Sequence, residues 1–290
     1  MKPLTIVVAS DNHYIVMLAA LIKSIEAHIS KSQKINIYII ENQVKKSSIK
    51  RLHNSINSDI TTLFWVKSSE IIPQGTKLPI DKSSFPLTIY LRLFIPYFIP
   101  KEIEKVLYLD IDMIVRRDIK ELFDTDIQNN IVAAVPDPKV KTFDNSWGGV
   151  KNYKELCFPA DTHYFNSGLL LMDTKKWRDA DITKKTINCI EKNKEFANYP
   201  DQYGLNIVLA NQWFELDSRW NHFATINYPN PFIIHFVQRK PIYTSYNYNK
   251  EYKQEFYFYL SQTAWRKFKP IGETRRYFKK VKNIMEKVFQ

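Results

Sequence analysis

The chain contains the segment Lys105-Val-Leu-Tyr-Leu-Asp-Ile-Asp-Met-Ile-Val-Arg116, in which two aspartates, Asp110 and Asp112, follow an apolar run. An unbroken apolar run of this length is typical of a buried strand in a parallel sheet, and we place that strand at residues 106–109. Open α/β sheets bind ligands outside the carboxyl ends of their strands. The segment therefore predicts a parallel α/β sheet with two carboxylates at its ligand-binding edge.

These two aspartates are open to two interpretations. Residues i and i+2 of an extended segment point the same way, so Asp110 and Asp112 repel each other unless a cation lies between them. Hard oxygen ligands of this kind suit Mg²⁺ or Mn²⁺. The alternative is a pair of turn or cap residues, which is what we expect of the other Asp-x-Asp triplets, Asp124/Asp126 and Asp179/Asp181.

Composition limits the possible classes of protein. The 290 residues are 44% hydrophobic and 14% aromatic, which suits one large folded domain with an appendage and excludes disorder. The apolar stretches are too short for a transmembrane helix, and the first ten residues lack the pattern of a signal peptide. Cys157 and Cys189 have no metal-ligand spacing, so we expect reduced thiols in a cytoplasmic protein.

The six glycines exclude two nucleotide-binding motifs. No G-x-G and no G-K-[ST] occurs, so both the dinucleotide fingerprint of Rossmann folds and the P-loop are absent. If the protein binds a nucleotide, a metal held by carboxylates must take the place of a glycine-rich loop.

The net charge of +12 is concentrated at the end of the chain. Residues 265–290 hold nine Lys or Arg and two Glu, a balance of +7. Apolar side chains recur there at helical spacing between basic ones: Tyr277, Phe278, Val281, Ile284, Met285 and Val288. We therefore divide the chain into a domain of residues 1–264 and a basic helical tail of residues 265–290. The tail suits an anionic membrane surface, or else it docks on the domain with a solvated basic face.

Strand and helix patterns alternate along the chain. Predicted strands lie at residues 5–9, 35–40, 61–66, 106–109, 131–135, 165–172, 213–216 and 233–236. Predicted helices lie at residues 14–25, 45–58 and 174–195, with a shorter one after Asp201. Residues 73–86 and 137–161 are predicted loops. This βαβ rhythm indicates a mainly parallel, Rossmann-like sheet with helices on both faces.

Three polar positions lie beside the predicted strands. Asp11 ends the first strand, where it can accept hydrogen bonds from a base or a ribose, or cap the next helix. Arg92 can pair with a phosphate or orient a carboxylate, or it is a surface arginine. The run Asn166-Ser-Gly168 can bind sugar hydroxyls close to the backbone, or it is a turn before a strand.

Two further positions come later in the chain. Asp201 is expected to be the N-cap of a helix, and Gln202 beside it has no evident structural purpose. His235 ends an apolar strand, where it is either a hydrogen-bonded core residue or, beside two aspartates, a third metal ligand that favours Mn²⁺ over Mg²⁺.

Taken together, these motifs resemble glycosyltransferase family 8, in particular its bacterial galactosyl- and glucosyltransferases that build lipooligosaccharide. The resemblance runs from about residue 5 to residue 241. The block K-V-L-Y-L-D-I-D-M-I-V-R-R-D-I-K-E-L-F-D-T-D at residues 105–126 is the most specific. Three others follow in the family's order: H-Y-F-N-S-G-L-L-L-M-D-T-K-K-W (163–177), P-D-Q-Y-G-L-N (200–206) and H-F-V-Q-R-K-P (235–241).

The resemblance implies a GT-A fold and a retaining transfer of galactose or glucose from a UDP-hexose to a saccharide acceptor, which is expected to be lipid-linked. It implies Mn²⁺, with Mg²⁺ as the alternative, on Asp110, Asp112 and His235. Donor-binding positions carried over from the family are Asp11, Tyr14, Arg92, Asp110, Ile111, Asn166 and Lys240. Catalytic positions are Asp137, Asp201 and Gln202, with Gln202 matching the residue nearest the anomeric carbon. We expect the enzyme to be peripheral on the inner face of the cell membrane.

The chain departs from the family pattern in two places. The first motif usually has D-x-N-Y, whereas Asp11-Asn-His-Tyr14 puts His13 at the Asn position. The late motif usually has H-[FY]-x-G-x-x-K-P-W, whereas the segment from His235 to Ile242 lacks the glycine and is one residue shorter before the lysine. These changes affect the expected contacts to the uridine and to the diphosphate.

Other functions fit the sequence less well. A sugar nucleotidyltransferase would need a glycine-rich loop near the N-terminus. Nucleic-acid binding is not expected, because the positive charge lies in one amphipathic tail rather than along a stacking surface. A family member that binds a UDP-sugar without transferring it remains an alternative because of the altered loop after His235.

Overall fold

Strands and helices alternate along the first half of the chain, as the sequence predicts. The structure is a computed structural model that describes residues 2–79, 86–227 and 229–288. Its strands are β1 Leu4–Asp11, β2 Ile35–Asn42, β3 Thr61–Lys67, β4 Lys105–Leu109, β5 Met113–Val115, β6 Val132–Pro136, β7 Phe165–Asp173, β8 Trp213–Glu215, β9 His222–Phe223 and β10 Ile233–His235. Its α-helices are α1 Ile15–His28, α2 Lys46–His53, α3 Ser68–Ile71, α4 Ile95–Phe98, α5 Ile119–Phe123, α6 Thr174–Asp179, α7 Ile182–Lys192, α8 Pro200–Val208, α9 Lys250–Ser261 and α10 Glu273–Val288. The 3₁₀ helices are Leu87–Phe94 and Ser218–Asn221.

The elements fall into two units. Unit 1 contains the described residues within 1–70, 107–125 and 219–279, and unit 2 contains those within 71–106, 126–218 and 280–290. Both units combine strands with helices, which confirms the predicted α/β class. The predicted boundary between a domain of residues 1–264 and a tail of residues 265–290 stays a prediction.

Unit 1 is built on parallel strands in the order β3-β2-β1-β4. The apolar residues of β1 are buried, and α1 packs against β1, β5 and α9 with an almost fully buried apolar face. Because β1 and β4 run parallel, their carboxyl ends lie at the same edge, so Asp11 at the end of β1 and Asp110 after β4 share that edge. In a second small sheet, β10 pairs antiparallel with β5 and parallel with β9.

Unit 2 has the strand order β7-β6-β8, in which β6 is antiparallel to β7 and parallel to β8. The ladder between β6 and β7 shifts register between Ala134 and Val135. Such a bulge bends the strand locally, here just before Asp137. Helices α7 and α8 pack closely at Gly204, which has no side chain. A Cβ atom added there would lie 2.7 Å from Ile190 Cγ1 and 2.9 Å from Thr186 Cγ2.

The predicted helix at residues 45–58 is shorter in the structure, where α2 ends at His53. Two further parts of the chain also differ from the helix predictions. The single helix predicted at residues 174–195 is broken into α6 and α7, since Asp181 adopts a left-handed conformation with φ 53° that a continuous helix cannot contain. Helix α9 was not predicted, although Asn249 caps it by accepting a hydrogen bond from the Tyr252 N–H at 3.0 Å. The capping residue and the apolar spacing of α9 were the signals in the sequence.

The segment between α9 and α10 packs on unit 1. Trp265 is 5% exposed, and the Arg51 guanidinium lies 4.4 Å from the centroid of its ring. Ile271 forms an isolated parallel bridge with Tyr243. The helical part of the predicted tail therefore starts at Glu273, after a segment that belongs to the folded unit.

Some predictions fall partly outside the described residues. This applies to residues 80–85 of the predicted loop and to the side chains of Lys282, Ile284, Lys287 and Val288 in the tail. Among the described residues, no helix combines the length and the apolar character needed to cross a bilayer.

Both cysteines are free thiols. Cys157 is exposed, whereas Cys189 on α7 is only partly accessible. Burial raises the pKa of the Cys189 thiol to about 11.

Candidate active site

The three predicted metal ligands form one cluster in unit 1. Asp110 and Asp112 follow β4, and His235 is the last residue of β10. The antiparallel ladder between β10 and β5 places His235 opposite Met113, the residue after Asp112. A further backbone hydrogen bond, from the Phe236 N–H to the Asp112 carbonyl at 2.8 Å, fixes the two segments to each other. This strand pairing brings a residue from late in the chain beside the Asp-x-Asp motif.

The ligand atoms of this cluster converge. His235 Nε2 lies 3.4 Å from Asp112 Oδ1 and 3.8 Å from Asp110 Oδ2, and one ligand atom from each residue lies within 4.8 Å of the others. Two carboxylates and an imidazole are a donor set for a divalent cation. The structure thus favours the interpretation of Asp110 and Asp112 as a metal site over that of two caps.

Asn221 orients the histidine of the cluster. Its Oδ1 accepts a hydrogen bond from His235 Nδ1 at 2.8 Å, and both side chains are buried. With the proton on Nδ1, the lone pair of Nε2 points at the two aspartates, which is the tautomer that a metal ligand needs. Tyr108 supports Asp110 in a similar way, because its hydroxyl donates to Asp110 Oδ1 at 2.7 Å. The residues present therefore fit a bound divalent metal.

Lys240 lies beside the metal cluster. Its ammonium pairs with Asp112 Oδ2 and donates a hydrogen bond to the Phe236 carbonyl at 2.8 Å. Burial alone would raise the pKa of Asp112, but the charge of the neighbouring Lys240 ammonium holds that pKa well below its ordinary value. Asp112 is therefore a carboxylate at neutral pH. The shortened loop after His235 still brings its lysine to the Asp-x-Asp motif.

The end of β1 forms a polar group around Asp11. Asp11 Oδ1 accepts hydrogen bonds from the N–H groups of His13 at 2.9 Å and Tyr14 at 3.0 Å, which holds the turn before α1. The buried Tyr243 hydroxyl is hydrogen-bonded to His13 Nε2 at 2.8 Å and to the Tyr14 hydroxyl at 3.2 Å. Burial raises the pKa of Tyr14, and Tyr243 raises it further, so the phenol of Tyr14 stays protonated. The unusual His13 thus has a partner, Tyr243.

A second group of predicted site residues lies in unit 2, around Arg92. The Arg92 Nε lies 3.2 Å from Asp201 Oδ2, and its Nη1 donates to the Ser167 carbonyl at 2.5 Å. The Ser167 hydroxyl also donates to Asp201 Oδ2 at 3.2 Å. Arg92 is 6% exposed, so its interpretation as a surface arginine is wrong. Its charge is balanced by a buried carboxylate instead.

Gln202 connects the rest of this second group. Its Oε1 accepts hydrogen bonds from Asn166 Nδ2 and from the Ser167 N–H, each at 3.0 Å. Its Nε2 donates to Asp137 Oδ2 and to the Tyr164 hydroxyl, each at 3.4 Å. The carboxamide of Gln202 is therefore held in one orientation by four neighbours.

Asp137 is a buried acid in unit 2. Its Oδ1 accepts the N–H groups of Lys139 at 2.9 Å and Val140 at 3.0 Å, and Asn166 Nδ2 donates to its Oδ2 at 3.3 Å. Burial raises the pKa of Asp137, although these hydrogen bonds and that from Gln202 oppose the rise. The structure thus places a buried carboxyl group, whose pKa lies above its ordinary value, next to the Gln202 carboxamide.

One cap prediction is wrong. Helix α8 begins at Pro200 with Tyr199 as its N-cap, so Asp201 lies in the first turn and not at the cap. Proline takes the first helical position readily because that position needs no N–H donor. This shift by two residues turns Asp201 towards Arg92 and Ser167.

The structure divides the predicted site residues between the units. Unit 1 holds Asp11, Tyr14, Asp110, Ile111, Asp112, His235 and Lys240, and unit 2 holds Arg92, Asp137, Asn166, Asp201 and Gln202. Ile111, between the two aspartates, is partly exposed. Five polar residues that were not predicted as site residues support these groups: Tyr108, Tyr164, Ser167, Asn221 and Tyr243. Tyr108, Tyr164 and Ser167 lie in motifs quoted from the sequence, whereas Asn221 and Tyr243 do not.

Comparison with known proteins identifies the family. The sequence profile of Glycosyl transferase family 8 matches residues 5–256. General stress protein A of Bacillus subtilis is 30% identical over 284 residues, which cover 90% of this chain and 94% of that protein. Lipopolysaccharide 1,2-glucosyltransferase of Escherichia coli is 30% identical over 138 residues, and the match covers 48% of this chain but only 39% of that protein.

The solved structures agree with the family match. The crystal structure of the galactosyltransferase LgtC with donor and acceptor sugar analogues superposes with a TM-score of 0.74 at 24% identity, over 90% of this chain and 96% of that one. This likeness confirms the predicted GT-A fold. Because the family profile covers most of its residues, the chain belongs to glycosyltransferase family 8.

Proposed function

We propose that this glycosyltransferase moves a galactose or a glucose from a UDP-hexose to a saccharide acceptor, with retention of anomeric configuration and with Mn²⁺ as its metal. The observation that carries the proposal is the cluster of Asp110, Asp112 and His235, whose ligand atoms lie within 4.8 Å of one another. A glycosyl phosphate bond breaks as negative charge builds on the leaving diphosphate, and such a cluster is suited to hold the cation that the charge requires.

Asp110, Asp112 and His235 would hold the metal. Bound there, Mn²⁺ supplies Lewis acidity that stabilises the negative charge of the departing UDP. The imidazole nitrogen favours Mn²⁺ over Mg²⁺. Asn221 keeps the His235 ring in the ligating tautomer through the hydrogen bond to Nδ1.

The nucleotide is bound by the other residues of unit 1. Lys240 lies against Asp112, so its ammonium is placed to add positive charge beside the diphosphate. Asp11 and Tyr14 take the uridine, since both lie at the carboxyl end of β1, where α/β sheets bind nucleotides. The protonated phenol of Tyr14 remains available as a donor.

The hexose is bound by the residues of unit 2. Asp201 is paired with Arg92, so its carboxylate is not free to act as a nucleophile. Its proposed role is to orient the hydroxyl groups of the sugar. The Gln202 carboxamide is fixed by its four neighbours, and an amide is a poor nucleophile. Because neither residue supplies a nucleophile, retention is best explained by attack of the acceptor on the same face from which UDP leaves, through an oxocarbenium-like state.

The acceptor is proposed from similarity and charge. The Escherichia coli relative is named as a lipopolysaccharide glucosyltransferase, and the tail of this chain has a balance of +7. We propose a lipid-linked saccharide acceptor, with the cytoplasmic enzyme held on the inner membrane face through α10.

Release of UDP tests the proposed reaction. Hydrolysis or transfer is measured with UDP-galactose, UDP-glucose, UDP-N-acetylglucosamine and GDP-mannose, with Mn²⁺ and with EDTA. We expect turnover of one UDP-hexose that EDTA abolishes and that Asp110→Asn lowers at least about 100-fold, since the metal stabilises developing charge. Asp124→Asn is the matched control, because Asp124 belongs to another Asp-x-Asp triplet at the end of α5.

Three results would contradict the proposal. Full metal-dependent turnover by Asp110→Asn would remove the proposed metal site. Tight UDP binding without turnover, in the presence of a panel of saccharide acceptors, would favour a donor-binding protein without transferase activity. Production of a UDP-sugar from UTP and a hexose 1-phosphate would instead identify a nucleotidyltransferase.

A further inference from the structure

Helix α10 is anchored to unit 1 at its first residue. The carboxylate of Glu273 accepts hydrogen bonds from Arg239 Nη1 and Arg276 Nε, both at 2.7 Å, and from the Ser245 hydroxyl. Arg239 lies directly before Lys240, in the loop that follows His235. The start of the tail helix is therefore fastened to the loop that carries the proposed diphosphate ligand.

Six residues further on, α10 reaches Asp11. The Lys279 ammonium lies 2.5 Å from Asp11 Oδ2, and the two side chains are 15% and 10% exposed. Asp11 Oδ1 is already used by the N–H groups of His13 and Tyr14. Lys279 thus occupies the oxygen of Asp11 that those backbone groups leave for a ligand.

The apolar face of α10 points the other way. At 100° per residue, Lys279 lies about 160° around the helix from both Tyr277 and Val281. Tyr277 is 68% exposed, Phe278 66% and Met285 52%. This face is therefore accessible while Lys279 holds Asp11. In contrast, Arg276 and Lys279 are engaged by carboxylates of the protein and are not free to pair with another anion.

We propose that Lys279 is an internal competitor for the donor nucleotide, and that donor binding and binding of the tail to an anionic lipid surface are coupled through it. The inference rests on the proposed function, in which Asp11 takes the uridine. When UDP takes Asp11, Lys279 withdraws and α10 is released. Its cations then become available to lipid phosphates, which are complementary to the basic tail.

The coupling is reciprocal by thermodynamic necessity. An anionic surface that draws Lys279 and Arg276 from their carboxylates frees Asp11 and raises the affinity for UDP by the same factor. The exposed apolar face contributes to membrane binding in both states, so a neutral lipid surface does not produce this effect. The device keeps the donor site closed until the enzyme reaches the surface that carries a lipid-linked acceptor.

Calorimetric titration of UDP in the presence of Mn²⁺ tests the inference on the full chain. Lys279→Ala is expected to bind UDP about fivefold more tightly than the wild type, the effect of losing one partly buried ion pair that competes with the ligand. Glu273→Gln, which loosens the anchor of α10, is expected to shift the affinity in the same direction. Lys280→Ala removes an equal charge from an exposed position of the same helix and is expected to leave UDP binding unchanged.

The same titration is repeated with lipid vesicles. Phosphatidylglycerol vesicles are expected to tighten UDP binding to the wild type and not to Lys279→Ala, while phosphatidylcholine vesicles change neither. Normal UDP binding with an unchanged or weaker affinity in Lys279→Ala would overturn this inference alone. Absence of UDP binding in every variant would overturn the proposed function, and the inference with it.

Discussion

Asn221 is the residue whose role was least accessible to sequence reasoning. It precedes His235 by 14 positions and belongs to no motif of the sequence analysis. The two become neighbours because β9 and β10 pair in parallel, with His235 opposite Phe223. These strands have two and three residues, too few for a periodic pattern to be recognised. The cluster of Asp110, Asp112 and His235 was predictable, because its motif was specific. Asn221, which orients His235, comes to its place through the register of two short strands.

We predict that Asn221→Ala weakens Mn²⁺ binding about 10- to 100-fold, since the Nδ1 proton of His235 loses its buried acceptor. Titration calorimetry of Mn²⁺ with the full chain measures the change. Asn221→Asp keeps an acceptor at the same place and is expected to retain nearly normal affinity. An equal loss in both variants would show that packing at this position matters, and not the hydrogen bond to Nδ1.

At the scale of elements, buried strands were predictable and helix boundaries were not. Strands β1 and β4 are buried on both faces, so most of their residues are apolar. An unbroken apolar run in the sequence is therefore enough to predict them. The predicted helix at residues 174–195 followed a nearly continuous pattern, but the chain turns at Asp181 so that Trp177 can donate to the Thr183 hydroxyl at 2.9 Å. This tertiary contact leaves no periodic signal. The position of α8 likewise depends on its packing on α7.

Gly204 determines how closely α8, which carries Asp201 and Gln202, lies on α7. A methyl group at this position would meet Ile190 and Thr186 at under 3 Å. We predict that Gly204→Ala lowers the free energy of unfolding by about 1–2 kcal/mol, because the strain exceeds the gain in helix propensity. Urea denaturation followed by circular dichroism measures the change.

Two further variants test this explanation of the Gly204→Ala effect. Gly272→Ala, at a position with nothing within 4 Å of the added atom, is expected to change stability by less than about 0.5 kcal/mol. Adding Ile190→Val to Gly204→Ala is expected to cost less than the sum of the single changes, because it removes one of the contacting methyl groups. Wild-type stability in Gly204→Ala would contradict the packing argument.

For the whole molecule, the fold class and the family followed from the order of the motifs, whereas the path of the tail did not. Composition predicted a basic amphipathic helix after the domain, and α10 is that helix. Nothing in its sequence indicated that Lys279 would pair with Asp11, 268 positions earlier. A surface helix of such composition finds its docking place through a few ion pairs, whose partners are defined only once the rest of the chain is folded.

The pH dependence of unfolding is a property of the whole molecule that one buried acid influences. Burial raises the pKa of Asp137 above its ordinary value, so the native state binds more protons than the unfolded state between the two pKa values. The free energy of unfolding therefore falls as pH rises through that window, by at most about 1.4 kcal/mol per pH unit, and the loss is constant above it.

We predict that this slope is absent in Asp137→Asn, so the stability of the variant relative to the wild type rises with pH across the window. Urea midpoints measured from about pH 3.5 upward give the comparison. Asp144→Asn, at an exposed position of the same loop, is expected to keep the wild-type slope. Parallel curves for wild type and Asp137→Asn would show that Asp137 is ionised alike in both states.

The two thiols differ in a way that has a practical use. With a pKa of about 11, only about one Cys189 in 10⁴ is a thiolate at neutral pH, and thiolates are the species that maleimides attack. Cys157 is exposed in the long loop between β6 and β7. A single dye can therefore be attached to the natural chain without removing a cysteine. The emission of such a dye would change when the loop between β6 and β7 changes its conformation. Asp137 is the first residue of that loop.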